Sequence, residues 1–348
     1  MTKRRSAPTW SKLFTRNVAT LTRITMRVGS HAASQAIKPV LAKQKAPVGQ
    51  GDWLPGLVVG PTGVQRYRIF RPPRMKIGER LPLMVMLHGC SQDAKSFAAS
   101  TRMNVVAARE RFLVLYPEQS RLSNPQGCWS WFETKSGRAY SEAALIMLAI
   151  NQASLLYSAD RDRVAVAGLS AGASMAALLV TRYPERFKAV TMHSGIAPGV
   201  AHSTLSAVGA MYGRRSPKPM QSATDAMATV WPPLMVIHGD RDTVVSAHNG
   251  RAAAQVWADA SGARAAAERG VQRGKRYPMK VTDFKRRGVT MARLVQIGRL
   301  GHAWSGGAPD QHFSDGNGPD ASRMAWGFAS KQFDAVRSYQ ALGTVQSN

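Results

Sequence analysis

Val166-Ala167-Gly168-Leu169-Ser170-Ala171-Gly172-Ala173-Ser174 is the stretch that decides how this chain is read. It holds G-x-S-x-G at Gly168, Ser170 and Gly172. Arg163 to Ala167 reads as a short buried strand leading in. Ala173 to Tyr183, rich in Ala, Leu and Met, reads as a helix leading out. A serine on a sharp strand-to-helix turn has its hydroxyl pushed clear of the sheet. Glycines two before and two after it leave room for the turn and for close packing. The helix start that follows aims N–H groups at a place where negative charge is stabilised. Taken alone, the same pattern also describes a Gly-rich turn with a bystander serine, so the rest of the chain has to decide.

Outward from that turn the pattern is β/α. Leu83 to Leu87 is a continuous apolar run ending in His88-Gly89-Cys90. Phe112 to Tyr116 is another. Phe187 to Met192 ends in His193-Ser194-Gly195, and Leu234 to Ile237 ends in His238-Gly239-Asp240. Thr290 to Ile297 leads to Gly301-His302. Ser96 to Arg109 and Glu142 to Leu156 read as helices, and Val64 to Phe70 alternates like an edge strand. Continuous apolar strands alternating with helices predict an α/β fold, with a mostly parallel central sheet covered on both faces. In such sheets the chemistry gathers at the carboxyl ends of the strands, where the polar residues above sit.

The chain has 348 residues, 44% of them hydrophobic, enough for a substantial core. We divide it into a basic amphipathic extension and linker over residues 1–50 and a catalytic domain over residues 51–340. In the extension Trp10, Leu13, Phe14, Val18, Leu21, Ile24 and Val28 recur at helical spacing, while Lys12, Arg16, Arg23 and Arg27 fall mostly on another face. Ala42 to Pro55 reads as linker. The net charge is +27. It is concentrated in this extension and in residues 264–293, which include Arg273, Lys275, Arg276, Lys280, Lys285, Arg286 and Arg287. Such charge implies an anionic contact through residues 1–50 and 264–293, with no specific nucleic acid indicated. No window approaches the ~18 apolar residues of a membrane span, and no Sec-type apolar region follows the N-terminal charges. Two cysteines, Cys90 and Cys128, exclude a disulfide scaffold and a Cys-rich zinc site.

A serine hydroxyl is a poor nucleophile until a base takes its proton and a third group orients that base. His302, flanked by Gly298, Gly301 and Gly306 after the last strand, suits a base on a mobile loop. Asp240 and Asp242 both stand where an acid is needed, between Ser170 and His302 in chain order. An oxyanion needs N–H donors. Ala171, following the serine, and Cys90, on the loop after the early strand, are the candidates. Trp129, Trp131 and Trp304 stand beside these motifs, where aromatic side chains are as often core as the lining of a binding cleft. The competing reading is a non-catalytic binding protein that uses its basic arms on an anionic surface.

These residues resemble the poly(3-hydroxybutyrate) depolymerase-type esterases, a family of α/β-hydrolases. The resemblance runs from about Tyr67 to about Gly307. It rests on Leu87-His88-Gly89-Cys90-Ser91-Gln92, Gly127-Cys128-Trp129-Ser130-Trp131-Phe132, Asp162-Arg163-Val164 leading into Gly168-Leu169-Ser170-Ala171-Gly172, His193-Ser194-Gly195, His238 to Val245, and Gly301-His302-Ala303-Trp304. The resemblance implies an α/β-hydrolase fold and a triad of Ser170, Asp242 and His302. It also implies an oxyanion hole at Cys90 and Ala171, and a disulfide between Cys90 and Cys128. No cofactor and no metal are implied. The substrates implied are short-chain polyhydroxyalkanoate polyesters or oligomers, with feruloyl and acetyl-xylan esters as alternatives. Location follows as extracellular, with cytoplasmic or polymer-granule association as alternatives. The segment Lys135 to Glu142 departs from the Gly-rich stretch usual in the family.

Overall fold

The computed structural model describes residues 49–215 and 231–345. The amphipathic stretch read at residues 10–28 lies outside the described residues. Among the described residues eleven strands form one sheet: β1 (Asp52–Gly60), β2 (Gly63–Arg71), β3 (Leu81–Leu87), β4 (Leu113–Glu118), β5 (Ala159–Leu169), β6 (Ala189–His193), β7 (Leu234–Gly239), β8 (Arg264–Ala265), β9 (Arg269–Val271), β10 (Met279–Arg286) and β11 (Val289–Ile297). Their order is β1-β2-β4-β3-β5-β6-β7-β11-β10-β8, with β9 also paired to β10. From β4 to β11 every neighbouring pair is parallel, and antiparallel strands extend both sides. A small pair, β12 (Trp304–Ser305) and β13 (Ser314–Asp315), stands apart.

The helices are α1 (Ala94–Thr101), α2 (Met103–Glu110), α3 (Arg138–Leu156), α4 (Ala171–Arg182), α5 (Thr204–Met211), α6 (His248–Ser261) and α7 (Ala321–Val345). Side-chain alternation along β3 shows why both faces need cover. Leu83, Val85 and Leu87 join one core with Ile146 and Ile150 of α3, Leu179 of α4 and Trp257 of α6. Met84 and Met86 join a second core with Phe97 of α1, Val106 of α2 and Phe328 of α7. All seven β3 residues are buried, as a central parallel strand requires. Each such aliphatic side chain contributes about 1.5–3 kcal/mol of burial.

Three expectations need correction. Val64 to Phe70 is not at the edge, because β1 pairs along its whole length. The linker ends sooner than Pro55, since β1 begins at Asp52; at Gly56 the chain lies so close to Tyr67 that a β-carbon would stand 2.0 Å from the ring. The single helix expected over Ser96 to Arg109 is two helices, broken where Arg102 turns left-handed at φ 55°. α3 is long and apolar enough to cross a membrane by length and composition, but its Ala139, Ala143, Ile146, Ile150 and Ala153 are buried in the core.

The basic segment 264–293 supplies β8 to β11. Arg269 and Arg293 are committed to Asp283, and Lys280 to Glu268. Among the described residues Arg264, Arg273, Lys275, Lys285, Arg286 and Arg287 make no ion pair, and all six are exposed. Lys285 lies directly across from Arg264. The two-residue turn between β10 and β11 puts Arg287 at φ 48° and Gly288 at φ 81°. β11 runs parallel to β7, whose far end carries Gly239. The hairpin tip therefore sits at the end of the sheet opposite the catalytic candidates.

Candidate active site

The serine turn is fixed by sterics. Ser170 joins β5 to α4 at φ 56° and ψ −120°, a sparsely populated conformation that persists only where the surroundings enforce it. A β-carbon on Gly168 would stand 2.3 Å from the Gly172 carbonyl oxygen. One on Gly172 would stand 2.1 Å from that of Leu87. Both positions therefore require glycine. The Ser170 N–H donates to the His193 carbonyl at 2.9 Å, which holds the turn against the end of β6.

Asp242 and His302 meet directly, with Nδ1 of the imidazole 2.8 Å from Oδ2 of the carboxylate. The other carboxylate oxygen, Oδ1, accepts N–H bonds from Val244 at 3.0 Å and Val245 at 2.8 Å. His238 lies 3.5 Å from Oδ2 through Nε2, which also donates to the Val245 carbonyl at 2.9 Å. Burial alone would raise the Asp242 pKa. The hydrogen bonds from His238 and His302 outweigh it and hold the carboxyl well below the ordinary range. Asp240, the alternative acid, is occupied elsewhere: its Oδ1 accepts the Arg299 N–H at 2.7 Å, at the base of the His302 loop.

The loop after β3 passes beside the serine, since a β-carbon on Gly89 would lie 3.6 Å from the Ser170 β-carbon. A disulfide joins Cys90 to Cys128, with the α-carbons 4.4 Å apart. Gln92 Oε1 accepts the Gly89 N–H at 3.0 Å, and the Ser91 N–H donates to Gln126 at 2.7 Å. Among the described residues neither the Cys90 nor the Ala171 N–H has a protein acceptor. Beneath the loop, His88 donates from Nδ1 to the Gly89 carbonyl and accepts the Gln119 N–H at Nε2. Burial pushes its pKa down to about 4, so it stays neutral and structural. Glu142 of α3 closes the network, accepting from Gln119 and from the Ser130 N–H, both at 2.7 Å.

Two of the three tryptophans are not cleft walls. Trp129 and Trp304 are fully buried. Their indole N–H groups are committed to the His88 carbonyl at 3.1 Å and to Ser322 Oγ at 3.1 Å. They brace the frame, and a substrate cannot reach them. Trp131, packed edge-on to Phe132, keeps 8% of its surface exposed. Among the described residues no three His, Cys, Asp or Glu side chains cluster as metal ligands. His193 and His238, for which the sequence suggested no catalytic role, contact the serine turn and Asp242. Their position directly before glycine or serine at a strand end is the only signal the sequence carried.

The family profile described as "Esterase PHB depolymerase" matches residues 65–273. The chain belongs to this esterase family. Poly(3-hydroxyalkanoate) depolymerase C of Paucimonas lemoignei is 35% identical over 127 residues, covering 36% of this chain and 30% of that protein. Feruloyl esterase B of Neurospora crassa is 32% identical over 139 residues, covering 39% and 46%. Acetylxylan esterase A of Aspergillus ficuum is 26% identical over 221 residues, covering 58% and 69%. The chain thus spans less than half the length of the first two. Among solved structures, acetyl xylan esterase from Aspergillus awamori superposes with a TM-score of 0.58 at 20% identity, covering 72% of this chain and 94% of that one. That likeness and the sheet order make this PHB-depolymerase-family chain an α/β-hydrolase in fold.

The disulfide closes a loop of 38 residues. By loop-closure entropy its reduction is expected to cost about 3–4 kcal/mol of stability, and to loosen the segment carrying the Cys90 N–H. Thermal melts with and without reductant should differ by several degrees, and thiol titration of the denatured, unreduced protein should find no free thiol. Coincident melts would deny the bond any stabilising role.

Proposed function

We propose that this protein is a serine esterase working through Ser170, His302 and Asp242. The observation that carries the reading is the 2.8 Å contact between His302 Nδ1 and Asp242 Oδ2, on the same sheet end as Ser170 in its strained turn. His302 Nε2 takes the Ser170 proton as Oγ attacks the ester carbonyl. The carbonyl oxygen, now negative, is received by the Cys90 and Ala171 N–H groups. His302 then passes the proton to the departing alcohol. Water, deprotonated by the same imidazole, releases the acid and restores Ser170. Asp242 keeps the Nδ1 proton in place and offsets the imidazolium charge.

The substrate class we assign is short-chain 3-hydroxyalkanoate polyester or its oligomers, supported by the family and by the Paucimonas relative. A second reading, an esterase removing acetyl or feruloyl groups from wall polysaccharide, is supported by the longer match to the acetylxylan esterase. Hydrolysis of a p-nitrophenyl ester series from acetate to octanoate tests the chemistry. Polyester, acetylated xylan and feruloyl esters offered side by side then separate the two classes. Wild-type protein that is folded and turns over none of them would sink the reading. The disulfide and the esterase relatives support an oxidising, extracellular setting.

The charge has a separate role in this reading. Like charges directly across a strand pair are destabilising, and an arginine at positive φ is strained. Both are retained at the β10–β11 tip. We assign that tip to contact with an anionic surface, which would leave the catalytic end facing outward. Lys285→Glu, Arg286→Glu and Arg287→Glu together are expected to cut sedimentation with phosphatidylglycerol vesicles at low salt, each lost cation being worth about 1 kcal/mol near such a surface. Turnover of soluble esters should not change. Vesicle binding that survives the triple change, or that ignores salt, would remove the tip from this role.

A further inference from the structure

We propose that His193 is a positioning residue: its main-chain carbonyl holds the Ser170 turn and its side chain holds the His302 loop, so one residue sets the alignment of nucleophile and base. The proposal rests on the esterase reading above and goes past the triad it names.

Four contacts converge on this residue. Its backbone carbonyl accepts the Ser170 N–H at 2.9 Å. Its Nε2 accepts the Ser305 N–H at 3.1 Å, three residues beyond His302 and 112 from His193 itself. Its Nδ1 lies 3.3 Å from Ser194 Oγ. Its ring stacks on Trp304, with centroids 5.1 Å apart and planes within 26°. Because Ser305 donates to Nε2, the lone pair must be there and the proton on Nδ1, directed at Ser194 Oγ.

The far side of the His302 loop is fastened too. The Arg241 N–H donates to the Leu300 carbonyl at 3.0 Å, binding the start of the loop to the acid segment. His302 thus hangs between one anchor on the Asp242 segment and one on His193. The second anchor shares its residue with the serine turn. A displacement of the loop at Ser305 would change where His302 reaches relative to Ser170, while leaving the Asp242 contact formed.

The imidazole can serve this way because it remains uncharged. Burial, with a further push from His238 and His302, carries its pKa down to about 3 against the opposing pull of Asp242. A neutral ring adds no repulsion when His302 takes up a proton during turnover.

His193→Phe keeps the ring on Trp304 and deletes the acceptor. His193→Gln places an amide oxygen near the Nε2 position and restores one. The Phe variant is expected to lose about ten- to a hundred-fold in kcat, the order of loss that follows a small misplacement of reacting groups, with KM within two-fold. The Gln variant should recover most of that loss. Independently of catalysis, amide hydrogen exchange at Ser305 should quicken in the Phe variant and slow again in the Gln variant. Unchanged Ser305 exchange in a folded Phe variant overturns the proposal. So does a Gln variant as impaired as Phe at equal Tm, which would leave only a packing role. Wild type and Ser170→Ala assayed alongside show whether the esterase reading itself has failed; in that event the exchange measurement still decides the anchor.

Discussion

Replacing Ser170 with alanine is expected to reduce kcat on short-chain esters by about 10⁴- to 10⁶-fold, leaving the activity that oxyanion donors and binding alone sustain. The fold should not notice. Both main-chain bonds of the residue survive the change, the N–H to His193 and the carbonyl accepting from the Ser174 N–H at 3.1 Å. Alanine meets the same backbone strain at φ 56° as serine does, so Tm should stay within a degree or two. A loss of rate without a loss of stability separates chemistry from structure. Retention of more than about a hundredth of the wild-type rate would transfer the role to another hydroxyl. Ser91, on the loop after β3, and Ser194, at the end of β6, both at positive φ, would be the next candidates.

Much of the architecture was legible because the central strands cannot disguise themselves. β3, β6, β7 and the Val164–Leu169 half of β5 are buried on both faces and read as mostly apolar runs. β1 was hidden because Pro55, Gly56 and Gly60 interrupt its pattern; its place is secured by pairing with β2, which no local window reveals. The helix break at Arg102 has no proline or glycine to announce it. Within the site, Ser170 and His302 stood out through their glycines, and the choice between Asp240 and Asp242 came down to which carboxylate faces the imidazole, a matter of two residues on one loop. His193 was passed over because its partner Ser305 is remote in sequence. The tryptophans stayed open between core and cleft, because nearness to a motif says nothing about which way a ring faces; Trp129 and Trp304 turn inward.

Asp242→Asn is expected to lower kcat by about 10⁴-fold, the scale seen when a catalytic imidazole is held in the wrong tautomer. The direction follows from the hydrogen bonds. Oδ1 accepts from both Val244 and Val245, so the amide oxygen of an asparagine must occupy that place. The amide nitrogen then takes the Oδ2 position and points a hydrogen at His302 Nδ1, which in the wild type donates there. The clash is relieved only if the imidazole moves its proton to Nε2, and an imidazole protonated there cannot accept one from Ser170. The same nitrogen faces Nε2 of His238, which donates to the Val245 carbonyl, so a stability loss of about 1–3 kcal/mol should accompany the change. The pH dependence has a fixed sign. The folded-state carboxyl is held below its ordinary value, so its stabilising contribution is complete above the unfolded aspartate pKa of about 3.9 and fades as pH falls below it. Wild type and variant should therefore differ in Tm at pH 7 and converge in acid. Asp240→Asn, whose Oδ1 serves only the Arg299 N–H, should keep kcat within about ten-fold. If the two variants exchanged these phenotypes, Asp240 would be the orienting acid and the 2.8 Å contact at Asp242 a resting arrangement.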